Sequence, residues 1–281
     1  MKQRLLKAIG LSPDNTLEIL KHLQDIPGPE LRFVTEEKQG IAHARNRAIE
    51  ESLDSDYLFV MDDDELPAPG ILEAVYDSLH TQQFDCVGGK VAVFFTPGTR
   101  PKWLNDELLG FLAETNYGDQ AFTITDDSTP IWTANIAYKT EVFRQNPDLR
   151  FDVRYNREGK AVGGGEDVMM FNAWFNRGFK LAYNPNMVVE HYVESWRLRQ
   201  FYFYKLHFTA GKKIGLYEFP KYNNTFLGIP AFLFKQAFMQ SVKALKMFGI
   251  NHPNKVRQGM NAMHAYGLIQ GCFLKRKQLK K

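Results

Sequence analysis

The chain of 281 residues has only two cysteines, Cys86 and Cys272, far apart and outside any CxxC or Cys/His spacing. That scarcity excludes a disulfide scaffold and a cysteine-based zinc site, and it suits a reducing compartment. Long apolar runs are missing as well: no stretch reaches the ~18 uninterrupted apolar residues of a spanning helix. Residues 1–10 are basic but lack the ~7–15-residue apolar core of a signal peptide, so none is expected. No internal repeat and no Ser/Gly linker occurs. With 44% hydrophobic and 24% charged residues, composition lies near the globular average, which excludes collagen-like, low-complexity and wholly disordered chains. The length allows one large domain or two modest ones, each with a real core.

A formal net charge of +3 conceals an uneven distribution. Residues 196–281 hold 16 Lys and Arg against one acidic residue, Glu218, a balance of +15. The remaining 19 basic and 31 acidic residues give the front of the chain −12. This split points to chemistry in front and a negatively charged partner behind.

Strand and helix patterns alternate along the front, as in an α/β sandwich. Thr16 to Leu23 reads as a short helix with Asn15 or Asp14 as N-cap. Ile41, Arg45, Ala48, Ile49 and Leu53 recur at helical spacing. Tyr57 to Met61 is a continuous apolar run that suits a strand covered on both faces, as in a parallel sheet. An Ile71 to His80 helix, a Cys86 to Phe95 strand, a Lys139 to Arg144 helix and a Glu166 to Arg177 helix closed by Gly178 follow. A broken strand then runs from Phe179 to Val189 and ends at Glu190-His191.

Asp62-Asp63-Asp64-Glu65 follows directly on the apolar strand. Four adjacent carboxylates repel one another and are costly to desolvate without a cation. Strand carboxyl ends are where α/β sheets bind ligands. On extended backbone Asp62 and Asp64 point to one side, where a hard cation takes one or two carboxylates plus substrate phosphates. The alternative for the same residues is a solvated acidic turn.

Gly40-Ile41-Ala42-His43-Ala44-Arg45-Asn46-Arg47-Ala48, the apolar strand and the acidic run together resemble family 2 glycosyltransferases of the GT-A fold. The resemblance implies an α/β fold, a mixed sheet flanked by helices, and Mg2+ or Mn2+ on Asp62 and Asp64 gripping the diphosphate of a UDP- or GDP-linked sugar. Arg45, Asn46 and Asp63 would lie near the nucleotide. Gly163-Gly164-Gly165-Glu166-Asp167 resembles the family's acceptor-side Glu-Asp motif, which implies Asp167 as general base and Glu166 as its orienting or acceptor-binding neighbour. Read as residues alone, both carboxylates are also ordinary choices for the first turn of a helix. Trp132-Thr133-Ala134-Asn135 is similar to the acceptor-proximal segment, where Trp132 either stacks on a sugar or fills the core. His191 matches a histidine that approaches the metal or diphosphate in the family. Arg197, Arg199, Lys205, Lys212 and Lys213 match a basic stretch from which the leaving diphosphate would be neutralised, with Lys212 in the binding set.

Residues 1–10 do not read as the strand that opens the family's sheet, so the fold is expected to be N-terminally incomplete. Residues 1–213 are taken as the transferase domain and 214–281 as a basic, aromatic-rich helical region. Phe226 to Phe248, an apolar helix interrupted by Lys235, Lys243 and Lys246, reads as a helix lying on an anionic membrane surface; a soluble subdomain is its alternative. No nucleic-acid motif is present. The resulting expectation is a metal-dependent inverting glycosyltransferase, cytoplasmic and peripheral at the inner membrane face. Its acceptor would be a saccharide or lipid-linked saccharide in envelope or capsular polysaccharide assembly. The competing classes are a non-catalytic, membrane-associated binding remnant and a metal-dependent hydrolase.

Overall fold

The computed structural model describes residues 4–10, 15–157 and 162–278. The chain forms two compact units: Met1–Ala92, Thr115–Ala161 and Gly165–Glu190 make the first, and Val93–Glu114, Val162–Gly164 and His191–Lys281 the second. The boundary expected at residue 213 thus falls inside the second unit.

The first unit opens with β1 (Arg4–Gly10), α1 (Thr16–Gln24) and β2 (Glu30–Glu36). β1 and β2 pair in parallel, Arg4 opposite Glu30 through Gly10 opposite Glu36, with α1 as the crossover. This corrects the expectation that residues 1–10 contain no strand. The lysine and arginine in RLLKAIG hide an extended segment that pairing with β2 stabilises. Asn15 stands at the N-cap of α1 without a side-chain capping bond, and Asp14 lies outside the described residues.

α2 (Ile41–Glu51), β3 (Tyr57–Met61), β4 (Glu65–Pro67) and α3 (Ile71–Tyr76) follow, then β5 (Cys86–Phe94), β6 (Phe122–Thr123) and β7 (Asn135–Lys139). α4 (Thr140–Gln145), α5 (Glu166–Asn176) and β8 (Leu181–Tyr192) complete the set. The six-stranded sheet has the order β3-β7-β5-β8-β4, with β6 on β8. β3 pairs antiparallel with β7, Tyr57 opposite Lys139 and Met61 opposite Asn135, so the parallel neighbour expected from its apolar run is not its partner there.

Side chains alternate across this sheet with the period of a strand. Leu58, Cys86, Ile136, Tyr138 and Leu181 enter a core with Ile49, Phe143 and Trp174 from the helices. Val87, Ala137, Ala182 and Met187 enter a second core with Ile71, Val75 and Leu79. The first unit is therefore a sheet covered on both faces.

The second unit is helical: α6 (Gln200–Lys213), a short hairpin of β9 (Thr225–Phe226) and β10 (Ile229–Pro230), α7 (Ala231–Gly249) and α8 (Lys255–Gln278). The helix expected from Phe226 begins only at Ala231, because Thr225–Pro230 forms the hairpin and Pro230 then stands at its N-cap. α6 and α8 touch backbone to backbone through glycines. A Cβ on Gly267 would lie 2.2 Å from the Phe208 carbonyl oxygen, and one on Gly211 2.2 Å from that of His264. Gly271 and Gly215 repeat the arrangement one turn on. Gly267→Val is expected to lower stability by at least ~1–3 kcal/mol in thermal unfolding. Gly249→Ala, in α7 with nothing within 4 Å of the added carbon, is expected to be neutral or stabilising.

Candidate active site

In the first unit three chain segments meet at one guanidinium and a fourth reaches one of its partners. Arg45, on α2, donates from Nη1 to Glu166 Oε1 at 3.0 Å and to Asp167 Oδ1 at 2.6 Å, and from Nη2 to Asp62 Oδ1 at 3.2 Å. Thr133, just before β7, donates from Oγ1 to the same Asp167 Oδ1 at 2.5 Å. Arg45 is 8% exposed, yet Asp62 at 38% and Asp167 at 27% reach solvent.

Local sequence explains how each group is held. α2 starts at Gly40, whose φ of +128° favours glycine. The space beside it is filled by Asn156, which accepts the Ala42 N–H at 3.1 Å and donates to the Gln39 carbonyl at 2.9 Å. α5 starts at Gly165 with φ +107°, and Glu166 and Asp167 fall in its first turn, where the helix dipole favours anions. Phe151 lies against Arg45, 5.6 Å from ring centre to guanidinium carbon.

Asn46 fixes the backbone of Phe151: its amide donates to the Phe151 carbonyl at 2.9 Å and accepts the Phe151 N–H at 2.7 Å. Both ends of the Asn46 amide therefore serve the backbone. Asp63 is exposed and pairs with Lys7 of β1 at 2.8 Å. Asp64 is exposed at the turn after β3. Trp132 is half-buried. Asn135 bridges the carbonyls of Lys90 and Met187 at 3.0 and 2.8 Å.

His191 and Lys212 belong to the second unit. The buried His191 ring has Nδ1 at 2.9 Å from the Leu112 carbonyl and Nε2 at 3.1 Å from Arg197 Nη1. A carbonyl oxygen thus faces Nδ1 and a guanidinium faces Nε2, so both ring nitrogens are in use. Lys213, next to Lys212 at the end of α6, donates to the Gly164 carbonyl at 2.9 Å.

Burial pulls Arg45 toward its neutral form, but the charges of Asp167, Asp62 and Glu166 outweigh it and raise its pKa. The Glu65 pKa is raised as well, which here favours the neutral form: burial first, then the charges of Asp62 and Asp64, push its carboxyl up to about 9 against the opposing charge of Arg45. Its Oε2 accepts the Asp62 N–H at 2.8 Å, and its buried Oε1 has no partner among the described residues. Glu65 and Thr133 are the site residues that sequence reasoning assigned no role. The adjacency of Glu65 to the aspartates was the visible signal.

Among the described residues no three His, Cys, Asp or Glu side chains gather around one point in the way a preformed metal site requires. Asp62 and Asp64 nevertheless have the right chemistry for Mg2+ or Mn2+, hard oxygen donors at the carboxyl end of a strand. Such ions are completed by substrate phosphates and water and need only about one or two carboxylates.

Residues 10–146 match the family model described as glycosyl transferase family 2. No curated protein matches the sequence. Among solved structures, the crystal structure of S. aureus TarS 1–349 in complex with UDP is similar at 13% identity and a TM-score of 0.52, over 98% of this chain and 83% of that one. The crystal structure of GalNAc-T7 with UDP, GalNAc and Mn2+ matches at 13% identity and a TM-score of 0.45, over 68% of this chain. This chain spans 37% of the GalNAc-T7 chain it matches.

The raised pKa of Glu65 sets a pH dependence. Between its ordinary value of 4.5 and about 9 the folded protein keeps a proton that the unfolded chain releases, so stability falls as pH rises through that window. Glu65→Gln cannot ionise. Its melting temperature is expected to match wild type near pH 4 and to rise progressively above it toward pH 9 in metal-free buffer. A difference that does not change with pH would refute this assignment.

Proposed function

We propose, from the match of residues 10–146 to the glycosyl transferase family 2 model and the fold likeness to TarS, that the first unit moves a sugar from a nucleoside diphosphate donor to an acceptor hydroxyl. Asp167 is the general base, and Asp62 with Asp64 holds a divalent cation. The observation that carries this reading is the state of the Asp167 carboxylate. Oδ1 is held by Arg45 and Thr133, while Oδ2 has no partner among the described residues. A carboxylate oriented through one oxygen and open at the other is what proton abstraction from a hydroxyl needs.

In the reaction the acceptor oxygen attacks the anomeric carbon, the bond from that carbon to the diphosphate breaks, and the hydroxyl proton passes to Asp167 Oδ2. A single displacement inverts the anomeric centre. Arg45 ties this base to Asp62, so acceptor and donor sides share one fixed cation. Glu166, buried on the same guanidinium, holds Arg45 in place. When bound at Asp62 and Asp64, the divalent ion neutralises charge that develops on the leaving diphosphate. His191, with both ring nitrogens engaged, is left out of that ligand set, and Asn46 acts through Phe151. UDP is the first nucleotide to test, since it is bound in the TarS structure of the same fold. An acceptor saccharide, free or lipid-linked, in envelope or capsular polysaccharide assembly completes the proposal.

Transfer or hydrolysis of UDP- and GDP-sugars with Mg2+ or Mn2+ tests this reading. Asp167→Asn is expected to lower kcat by ~10²–10⁴ with UDP affinity retained. Asp62→Asn with Asp64→Asn should abolish the metal dependence of UDP binding in calorimetry. Full activity in Asp167→Asn would remove the base. No nucleotide binding at all by wild type would leave a non-catalytic binding protein.

We infer in addition that α7 rests on an anionic bilayer surface. No helix among the described residues is long and apolar enough to cross a membrane. Phe234, Phe238, Val242 and Leu245 nevertheless follow one helical face, with Phe238 65% and Leu245 74% exposed. Lys235, Lys243 and Lys246 are exposed on the same helix, within a stretch of 16 basic residues and one acidic residue. Each such lysine gains ~1 kcal/mol near anionic headgroups. The protein is expected to co-sediment with phosphatidylglycerol vesicles and not with phosphatidylcholine vesicles, and Lys243→Glu with Lys246→Glu should weaken this several-fold. Equal binding to both vesicles, or none to either, would overturn the inference.

A further inference from the structure

The first unit has a small cavity with Asp167 in its wall. Its walls include Cys86, Thr133, Tyr138, Asp167, Met170 and Trp174, and it offers about 10 Å³ to the centre of a water molecule. That is room for a single water, near the lower limit of ~10–15 Å³. An apolar cavity of this size would stay dry, so the polar atoms around it decide what it holds.

Two of those side chains are buried donors without an acceptor. Tyr138 and Trp174 are each 1% exposed, and neither the Tyr138 hydroxyl nor the Trp174 indole N–H has a hydrogen-bond partner among the described residues. Leaving such a group unpaired inside a core forfeits the hydrogen bond it makes to water when exposed, with nothing in return. Their positions are not accidental. Trp174 lies seven residues after Asp167 on α5, two turns along the same helical face. Tyr138 projects from β7 into the same core, and the two rings are 5.1 Å apart. Burial, followed by the neighbouring Cys86 thiol and the Asp167 carboxylate, raises the Tyr138 pKa, so the phenol keeps its proton and remains a donor.

We propose that one ordered water occupies this cavity, accepts from Tyr138 Oη and Trp174 Nε1, and donates to the Asp167 carboxylate. Tyr138 and Trp174 are thereby positioning residues for the base. The water supplies what both donors lack and gives Asp167 a third restraint beside Arg45 and Thr133, one that comes from the core. A water with three polar partners is an ordinary structural water. The kinetic half of this inference rests on Asp167 being the base; the water itself does not.

The two halves are tested separately. A crystal structure of the full chain at a resolution that shows ordered solvent should contain one water within hydrogen-bonding distance of Tyr138 Oη, Trp174 Nε1 and an Asp167 oxygen. The Tyr138→Phe structure should lose or displace it. Tyr138→Phe keeps the ring and removes only the hydroxyl, so the core is retained. Its kcat is expected to fall about tenfold, the scale of a modestly misplaced catalytic group, with donor KM unchanged. A cavity without a water in wild type overturns the proposal whatever the kinetics. Wild-type kcat in Tyr138→Phe with the water gone overturns the positioning role. Undiminished transfer by Asp167→Asn would instead sink the base assignment and leave the water to be judged by the crystal structure alone.

Discussion

The buried guanidinium of Arg45 is the constraint around which the first unit is arranged. Asp62, Glu166 and Asp167 reach the same small volume from a strand end and a helix start. Without a cation their mutual repulsion and desolvation would drive protons onto them or push the segments apart. Arginine suits the position because its planar fork donates in several directions at once and stays charged when buried. Everything near it maintains that fork. Asn156 and Gly40 set where α2 begins, Asn46 fixes Phe151 under the guanidinium, and Gly165 turns the chain so that α5 presents its first two residues inward. Taking away one partner of such a buried set costs more than the set contributes as a whole, because a charge is left uncompensated.

The same field sorts the neighbouring carboxyls by role. Glu166 and Asp167 share Nη1, the first buried and the second part-exposed. Glu65 lies behind Asp62, where burial and two aspartate charges keep it protonated at neutral pH and the Asp62 N–H holds its geometry. Similar side chains thus become a structural anion, a candidate base and a neutral hydrogen-bonding group through environment alone. Pairs of titratable groups driven apart in this way are the usual mark of a site that handles protons.

Much of this was legible beforehand, for reasons that show where legibility ends. The apolar run of β3 followed by Asp62, Asp63 and Asp64, and the glycines before Glu166 and Asp167, are contiguous, so motif and local chemistry coincide. Arg45 also stood out, but its partners at 166 and 167 lie over a hundred residues away, and no periodicity encodes that pairing. The engagement of both ends of the Asn46 amide by Phe151, and of both ring nitrogens of His191, was hidden for the same reason. β1 and β2 were overlooked because charged residues interrupt the apolar pattern of each, and they pair with each other.

The second unit solves a different physical problem, which accounts for the charge split along the chain. Its main helices are joined by glycine-lined backbone contact, Gly211 and Gly215 against Gly267 and Gly271, a packing that needs little side-chain volume. Large apolar side chains such as Phe238 and Leu245 lie outside that interface, exposed on α7. Exposed apolar groups normally threaten solubility. Here they are interspersed with lysines in a segment that has almost no compensating acid. The positive excess is consequently carried where the chain has almost no carboxylates, and the negative excess where the carboxylates of the candidate site lie. A net charge near zero is then the sum of two surfaces under opposite demands, with no neutrality in either.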